Sequence, residues 1–185
     1  MMSDIKKEFK ETIMPVIMKE GNYANVHSVP HLVKIIVNMG LNDAVTNKGI
    51  IEKVSEQIEI IAGQKALVTK ARKSISAFKI RAGMPLGLKV TLRGKRMFDF
   101  WEKLVKIVLP RQRDFKGVLA NGFDRQGNLN LGFKEQTLFP DLEYDRVDKV
   151  RGLELTFVTS ARTDKEAQVL LEKMGMPFKK VISQK

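Results

Sequence analysis

The sequence predicts an α+β protein, with a mainly antiparallel sheet, helices packed on one face of it and a long basic loop between two strands. Two observations support this class. Segments whose apolar residues recur every three or four positions, typical of helices, are interspersed with shorter segments that alternate apolar and polar residues, typical of strands. The 185 residues also contain no long repeat and no Pro/Ser linker. We therefore expect one domain over residues 1–180 and a short extension at 181–185.

The first predicted element is a helix over residues 3–20. Ser3 can cap its start, because a serine hydroxyl accepts a hydrogen bond from a free N–H of the first turn. Pro15 should bend the helix and Gly21 is placed to end it. The apolar residues of this segment recur at every fourth position: Ile5, Phe9, Ile13 and Ile17.

An apolar run at residues 32–41 predicts a strand near the centre of the sheet. Lys34 and Asn38 share one alternate face of this run. A second helix is expected after Asn47, which can cap it, and should stop at Gly63. One stripe of that helix is apolar: Ile51, Val54, Ile58 and Ile61.

Residues 66–93 predict a strand, a loop and a second strand. The segment 66–72 has β character, and 73–87 should be a long exposed loop because Gly83, Pro85 and Gly87 interrupt it. Residues 88–93 alternate, so that leucine and valine face one side and polar residues the other. The polar alternates of this strand are Lys89, Thr91 and Arg93. The open face of such a sheet is a common platform for RNA.

A third helix is predicted over residues 95–109, with Pro110 beyond its end. Its apolar stripe comprises Met97, Trp101, Leu104, Val105 and Val108. Further strand candidates follow at 129–133, 138–144 and 153–160. The last helix should start at Thr163 or Asp164 and end before Gly175.

The composition excludes several classes of protein. There is no cysteine, which rules out a disulfide scaffold and a thiolate zinc site. No apolar run approaches the ~18 residues that a membrane span needs, and the N-terminal residues lack the apolar core of a signal peptide. With 43% hydrophobic residues the chain is too apolar for a disordered basic tail. We expect a soluble, cytoplasmic protein.

The net charge of +12 is concentrated in one part of the chain. Residues 60–98 contain no acidic residue and ten basic ones: Lys65, Lys70, Arg72, Lys73, Lys79, Arg81, Lys89, Arg93, Lys95 and Arg96. Such a block predicts a polyanion partner, because protein surfaces normally intersperse the two signs. Residues 135–148 are acidic instead, with Glu135, Asp141, Glu143, Asp145 and Asp148 against Arg146 alone.

No catalytic or cofactor-binding pattern is present, and we expect no cofactor, metal or small-molecule substrate. His27 and His31 are four residues apart, but Pro30 argues against a helix there. The segment Gly83–Lys89 lacks the spacing of a phosphate-binding loop and leads into a strand. The basic, amphipathic segment 98–109 could lie on a membrane surface. A core-facing helix explains its apolar stripe better, so no membrane partner is expected.

The residues 58–74 (IEIIAGQKALVTKARKS) resemble the signature of the bacterial-type large-subunit ribosomal protein five family, which binds 5S rRNA. Six further blocks resemble that family in the same order: VNMG at 37–40, GMPLG at 83–87, LPRQRDFKG at 109–117, FP at 139–140, YDRVDKVRG at 144–152 and MGMPF at 174–178. The resemblance therefore covers almost the whole chain.

This resemblance implies a non-enzymatic ribosomal component that anchors 5S rRNA in the central protuberance of the large subunit. It also implies contact with P-site tRNA through the long loop and an intersubunit bridge to small-subunit protein thirteen. The 23S rRNA and other proteins of the central protuberance are further implied partners. The rival hypotheses are a nucleotide-using enzyme and a module that binds any RNA duplex equally.

Site residues follow from the resemblance by position. Asn38, Gln64 and Thr91 match the family's direct 5S rRNA contacts, and Lys70, Arg72 and Lys73 lie in the signature. We add the strand alternates Lys89 and Arg93 to this RNA set. The expected tRNA-contacting loop residues are Lys79, Arg81, Gly83 and Met84. The expected intersubunit contacts are Arg111, Arg113, Asp114, Asp141, Glu143 and Asp145.

Overall fold

A computed structural model describes residues 4–45, 47, 49–113 and 115–179 of the chain. Ser3, Asp114 and the extension at 181–185, which carry sequence-based expectations, lie outside these residues. Within them the fold is α+β, as predicted, with an antiparallel five-stranded sheet. The strands are β1 (Leu32–Gly40), β2 (Leu67–Lys70), β3 (Pro85–Leu92), β4 (Leu129–Phe133) and β5 (Leu153–Thr159).

The strands lie in the order β2-β3-β1-β5-β4. The apolar run that forms β1 is therefore central, as its composition predicts. β2 and β3 pair antiparallel, with Leu67 opposite Lys89 and Thr69 opposite Gly87. The register shifts between Thr69 and Lys70, at the end that leads into the basic loop.

Four helices occur in the described residues. Helix α1 comprises an α-helical turn (Asp4–Glu8), a π-helical stretch (Phe9–Ile13) and an α-helical stretch (Met14–Glu20). Helix α2 is Ile50–Ala62 and helix α4 is Asp164–Lys173. Helix α3 comprises Gly94–Lys103, a π-helical stretch at Leu104–Val108 and Leu109–Arg111.

Both π-helical stretches end two residues before a proline. The amide of Met14 donates to the Phe9 carbonyl, and that of Leu109 donates to the Leu104 carbonyl. Proline cannot donate a helical hydrogen bond and its ring crowds the carbonyl four residues earlier. The wider π turn moves that carbonyl away, so both helices continue through the proline. The expectation that Pro110 lies beyond the helix is therefore wrong, because α3 runs to Arg111.

The chain divides into two compact units, described separately. The first unit comprises residues 1–35, 93–131 and 156–185. Its core includes the fully buried Trp101, whose ring meets Phe157 edge-on at 5.3 Å between centroids. The Trp101 Nε1–H donates to the Met174 carbonyl at 3.1 Å, so its one polar group is satisfied. The predicted apolar stripe of α1 is buried throughout: Ile5, Phe9, Ile13 and Ile17.

The second unit comprises residues 36–92 and 132–155. Helix α2 packs against β3 and buries Val54, Ile58 and Ile61 of the predicted stripe. It ends as expected, because Gly63 adopts a left-handed conformation (φ 66°) and its N–H donates to the Glu59 carbonyl at 2.8 Å. Asn47 does not occupy the N-cap, which is Gly49. The Asn47 Oδ1 instead accepts a hydrogen bond from the Gly49 N–H at 3.1 Å.

The structure contradicts one predicted strand and shortens one predicted loop. Residues 138–144 are not a strand: a 3-10 turn at Gln136–Leu138 and another at Tyr144–Arg146 flank an irregular segment. Pro140 lies within this segment and cannot donate to a strand ladder. The loop predicted at 73–87 ends earlier, because β3 already starts at Pro85.

Candidate nucleic-acid interface

One face of β1, β2 and β3 in the second unit is open to solvent. Side chains alternate between the two faces of a strand, and here the inward series is fully buried: Val37, Met39, Leu88, Val90 and Leu92. The outward series forms what we call the open face: Asn38, Gly40, Leu67, Thr69, Lys89 and Thr91. Asn38 and Lys89 are exposed and Thr91 is half-buried.

The strand register brings the predicted RNA-contacting residues of the open face together. The Leu41 N–H donates to the Leu86 carbonyl at 2.7 Å, and antiparallel continuation of this pairing brings Asn38 level with Lys89. On the far side of β3, Lys89 pairs with Leu67, which is 69% exposed. An amide, an ammonium group and an apolar side chain therefore lie side by side on three strands.

Gln64 contacts the end of β3 from the end of helix α2. Its Nε2 donates to the Thr91 carbonyl at 3.4 Å, so two residues that are 27 positions apart in the chain meet. The turn at Gly63 makes this possible because it ends the helix immediately before Gln64. Both side chains are half-buried, which limits their rotamers and orients their polar groups.

Residues 71–84 form a hairpin, which we call the basic hairpin. Ala71 and Met84 close its base, with the Ala71 N–H donating to the Met84 carbonyl at 2.8 Å. Ile75 and Ile80 exchange backbone hydrogen bonds of 2.9 and 3.1 Å halfway along it. Its tip is a 3-10 turn at Ser76–Phe78. The long exposed loop expected from its glycines and proline therefore contains an isolated β-bridge and a 3-10 turn.

The predicted tRNA-contacting residues belong to this hairpin. Lys79 follows the tip in a left-handed conformation (φ 55°), and Arg81 is exposed beside it. Gly83 has φ 86° and its N–H donates to the Ala71 carbonyl, so it shapes the base of the hairpin. The Met84 Sδ accepts a hydrogen bond from the Arg81 N–H at 3.1 Å. The tip also exposes Phe78, an aromatic residue at 69% exposure that charge counting missed.

The cations of the open face and hairpin are not neutralised within the described chain. Lys70, Arg72, Lys73 and Lys89 are exposed, and among the described residues none of them forms an ion pair. No carboxylate occurs anywhere between Glu59 and Asp99 to compete for them. Their charge is therefore available to an external anion.

The remaining predicted basic residues belong to the first unit. Arg93 is exposed and occupies the N-cap of α3. Arg111 and Arg113 are exposed at the end of that helix. Asp114, the next predicted contact, lies outside the described residues.

The acidic segment, residues 135–148, belongs to the second unit. Asp141, Glu143 and Asp145 are all exposed, and Tyr144 between them is 76% exposed. Arg146 Nε donates to the Glu143 carboxylate at 3.0 Å. The three predicted intersubunit carboxylates therefore lie on one exposed stretch of chain.

A buried polar network anchors this segment, and sequence reasoning missed it. Gln136 is fully buried, its Nε2 donates to Gln57 Oε1 (3.2 Å) and to the Lys149 carbonyl (3.1 Å), and its Oε1 accepts the Arg151 N–H (2.7 Å). The Gln57 Nε2 donates in turn to the Arg146 carbonyl at 2.7 Å. The only sequence signal was Gln57 beside the apolar stripe of α2, and an isolated glutamine is usually exposed.

Arg151 completes this anchoring with a two-point ion pair. Its guanidinium, 7% exposed, donates to the two Asp148 carboxylate oxygens at 2.7 and 3.0 Å. This hydrogen bonding lowers the pKa of Asp148 to about 2. The Lys149 ammonium, 2.9 Å from Asp43 Oδ2, likewise lowers the pKa of the Asp43 carboxyl.

The two histidines have ordinary structural partners. The His27 N–H donates to Asn25 Oδ1, and the His31 Nδ1 lies 3.0 Å from the Ser160 hydroxyl oxygen. Within the described ranges, no three His, Cys, Asp or Glu residues are grouped so as to hold a metal ion. None of the described helices is long and apolar enough to cross a membrane.

An open polar sheet face beside a basic hairpin, with cations that have no ion-pair partner in the described part of the chain, is typical of RNA-binding α+β proteins of the ribonucleoprotein type. Comparison with known proteins identifies its family. The profile of the family described as Ribosomal protein L5 matches residues 25–81, and the profile of that family's C-terminus matches residues 85–178. The chain belongs to the ribosomal protein L5 family.

Curated relatives match over nearly their whole length. A large ribosomal subunit protein uL5 from Brevibacillus brevis is 51% identical over 180 residues, covering 97% of this chain and 100% of the relative. A protein of the same description from Symbiobacterium thermophilum is 51% identical over 177 residues, covering 96% and 98%. The chain is thus a structural, non-enzymatic constituent of the large ribosomal subunit, with rRNA and the ribosome as partners and the cytoplasm as its location.

Proposed function

We propose that this protein anchors 5S rRNA in the central protuberance through the open face and the adjoining cations. The observation that carries this proposal is the juxtaposition of Asn38 and Lys89 on the open face, with Gln64 bonded to β3 at Thr91, beside cations that have no ion-pair partner among the described residues. Lysine and arginine side chains attract the RNA phosphates. Neutral amide and hydroxyl groups form directed hydrogen bonds that fix where the RNA lies on the protein. Both kinds of group are needed for a specific fit.

The neutral groups suit RNA in particular. Amide side chains donate and accept hydrogen bonds, and can therefore bind ribose 2′-hydroxyls as well as base edges. Lys70, Arg72 and Lys73 extend the surface from the end of β2 into the hairpin base. Arg93, in the first unit, is proposed as a further rRNA contact. 23S rRNA and other proteins of the central protuberance complete the proposed surroundings.

The basic hairpin is proposed to contact P-site tRNA through Lys79, Arg81, Gly83 and Met84. The backbone hydrogen bonds of the hairpin support this role, because the Ile75–Ile80 bridge constrains the conformation of the tip and its cations. A flexible loop would lose more conformational entropy on binding.

The acidic segment is proposed to face small-subunit protein thirteen as part of an intersubunit bridge. Carboxylates at Asp141, Glu143 and Asp145 would repel rRNA phosphates but complement a basic protein. Arg111, Arg113 and Asp114 are proposed for the same bridge on the resemblance of their motif. The anchoring by Gln136 supports a protein contact, because it holds the exposed carboxylates in a fixed backbone.

The central experiment is competition between 5S rRNA and an unrelated RNA of equal length for the purified protein. We expect 5S rRNA to win by a factor of a hundred or more, and equal competition would instead favour the module that binds any duplex. Thr91→Val and Asn38→Ala should reduce this preference without changing the salt dependence, since neither removes a charge. Asn121→Ala, in the exposed turn Ala120–Gly122, is the matched control.

Shortening the basic hairpin tests whether the open face binds 5S rRNA while the hairpin contacts tRNA. Replacing Ile75–Ile80 by Asn-Gly keeps the Ala71–Met84 closure, and Asn-Gly favours a tight turn. Binding of 5S rRNA should persist, while ribosomes carrying the variant should lose affinity for P-site tRNA. A variant that loses 5S rRNA binding while remaining folded would refute this assignment.

A further inference from the structure

Gly40 is a glycine that the fold does not require. It is the last residue of β1, its φ lies outside the left-handed region, and a Cβ built on it meets no atom of the described residues within 4 Å. Glycine inside a strand costs conformational entropy and contributes no packing. A strand glycine without a conformational or steric reason often marks a place where another molecule approaches the backbone.

Gly87, unlike Gly40, is a glycine that packing within the protein requires. Gly87 lies beside Gly40, with 3.6 Å between the Gly40 Cα and the Cβ position of Gly87. A Cβ at Gly87 would lie 2.7 Å from the Met39 carbonyl oxygen and 3.0 Å from Thr69 Oγ1, so packing within the protein demands glycine there. No such contact exists at Gly40, although it is exposed on the same open face.

We propose that the sugar–phosphate backbone of the bound RNA lies directly against the main chain at Gly40. This inference rests on the proposed rRNA-binding role of the open face. Asn38 is two residues earlier on the same side of β1, and the Thr69 hydroxyl lies beside Gly87. An RNA strand at this point therefore has a hydrogen-bonding group on either side of an unobstructed backbone. A side chain at position 40 would hold the RNA away from both groups.

The test is a graded series at position 40, with 5S rRNA affinity measured by titration at fixed salt. Gly40→Ala should weaken binding about tenfold and Gly40→Val about a hundredfold, because the obstruction grows with side-chain volume. The salt dependence of binding should not change, since no cation is lost. The melting temperature should stay level or rise, as the Cβ enters open space.

Gly132 provides the matched control. It lies within β4 in the second unit, it is exposed, its φ is also outside the left-handed region and its Cβ position is equally unobstructed. Gly132→Ala should leave 5S rRNA affinity unchanged. If Gly40→Ala and Gly40→Val bind with the wild-type affinity while Asn38→Ala weakens binding, close approach at Gly40 is refuted and the open face still binds RNA. If none of the three variants affects binding, the proposed function of the open face fails as well.

Discussion

The second unit contains two charged regions. One is the basic hairpin with the adjoining open face, and the other is the acidic segment; they differ in whether their charges are paired within the protein. Lys70, Arg72 and Lys73 have no described carboxylate partner, whereas Asp148 binds both terminal nitrogens of Arg151. In the basic region, the charged groups are exposed and are not neutralised by any described carboxylate. In the acidic segment, part of the charge stabilises the fold, while the carboxylates of Asp141, Glu143 and Asp145 remain exposed.

The two regions are also held in place differently. Backbone hydrogen bonds support the basic hairpin, and its apolar side chains Ile75 and Phe78 remain exposed. The acidic segment is anchored by side chains, above all by the fully buried Gln136. Substitutions in the hairpin should therefore affect binding with little effect on stability. Substitutions in the buried network should do the reverse.

The largest expected effect is on RNA affinity. Replacing Lys70, Arg72 and Lys73 together by alanine should weaken 5S rRNA binding by two to three decades at low salt, or about 3–4 kcal/mol, and reduce the salt slope by about 2–3. Titration at several salt concentrations measures both. The unfolding free energy should remain within about 0.5 kcal/mol, because no described ion pair is lost. A large loss of stability would show that these cations serve the fold, and Lys134→Ala serves as an exposed control in the same unit.

The second-largest expected effect is on stability, with RNA affinity unchanged. Gln136→Leu should lower the unfolding free energy by about 3 kcal/mol, because the buried Arg151 N–H and the buried Gln57 Oε1 both lose the hydrogen bond that Gln136 makes to them. Denaturant unfolding measures this, with the exposed Gln126→Leu as control. Affinity for 5S rRNA, measured on the folded fraction, should be unchanged. A Gln136→Leu variant as stable as the wild type would contradict the role of the network.

A smaller effect concerns pH. Asp148 has a pKa of about 2 in the folded protein, below the ~3.9 of an unperturbed aspartate, so its contribution is complete above pH 4 and disappears as the pH falls towards 2. Because the Asp148 side chain is 36% exposed, we expect only about 1 kcal/mol. Arg151→Met should remove this dependence, whereas Arg146→Met, which breaks an exposed pair, should retain it. Unfolding curves from pH 5 to 2 would detect the difference, and parallel curves for wild type and Arg151→Met would contradict it.

The smallest effect belongs to the outer carboxylates. The Glu143 side chain is 71% exposed in its pair with Arg146, so Glu143→Gln should change the unfolding free energy by less than about 0.5 kcal/mol. The same variant should weaken binding to small-subunit protein thirteen in a pull-down with purified proteins. Because stability is preserved, a loss of binding would identify a direct contact, and unchanged binding would remove Glu143 from the proposed bridge.

Sequence reasoning succeeded where one local pattern dominated. The strand candidate at 129–133 coincides with β4 to the residue, and Thr163, one of two predicted starts for the last helix, is the N-cap of α4. It failed at 138–144, where apolar residues around Pro140 resembled a strand although the chain there is irregular between two 3-10 turns. It also missed the π-helical stretches, because periodicity does not reveal how a helix accommodates a proline.

The sequence by itself determined the α+β class, the basic block and the assignment to the L5 family, because these depend on periodicity, composition and local motifs. Only the tertiary structure decided which distant residues meet: Gln64 with Thr91, Gln57 with Gln136, and Gly40 with Gly87. Such pairs depend on strand register and on where each helix ends, which nonlocal packing sets. For the same reason, only the structure distinguished the charges that stabilise the fold from those left available to a partner.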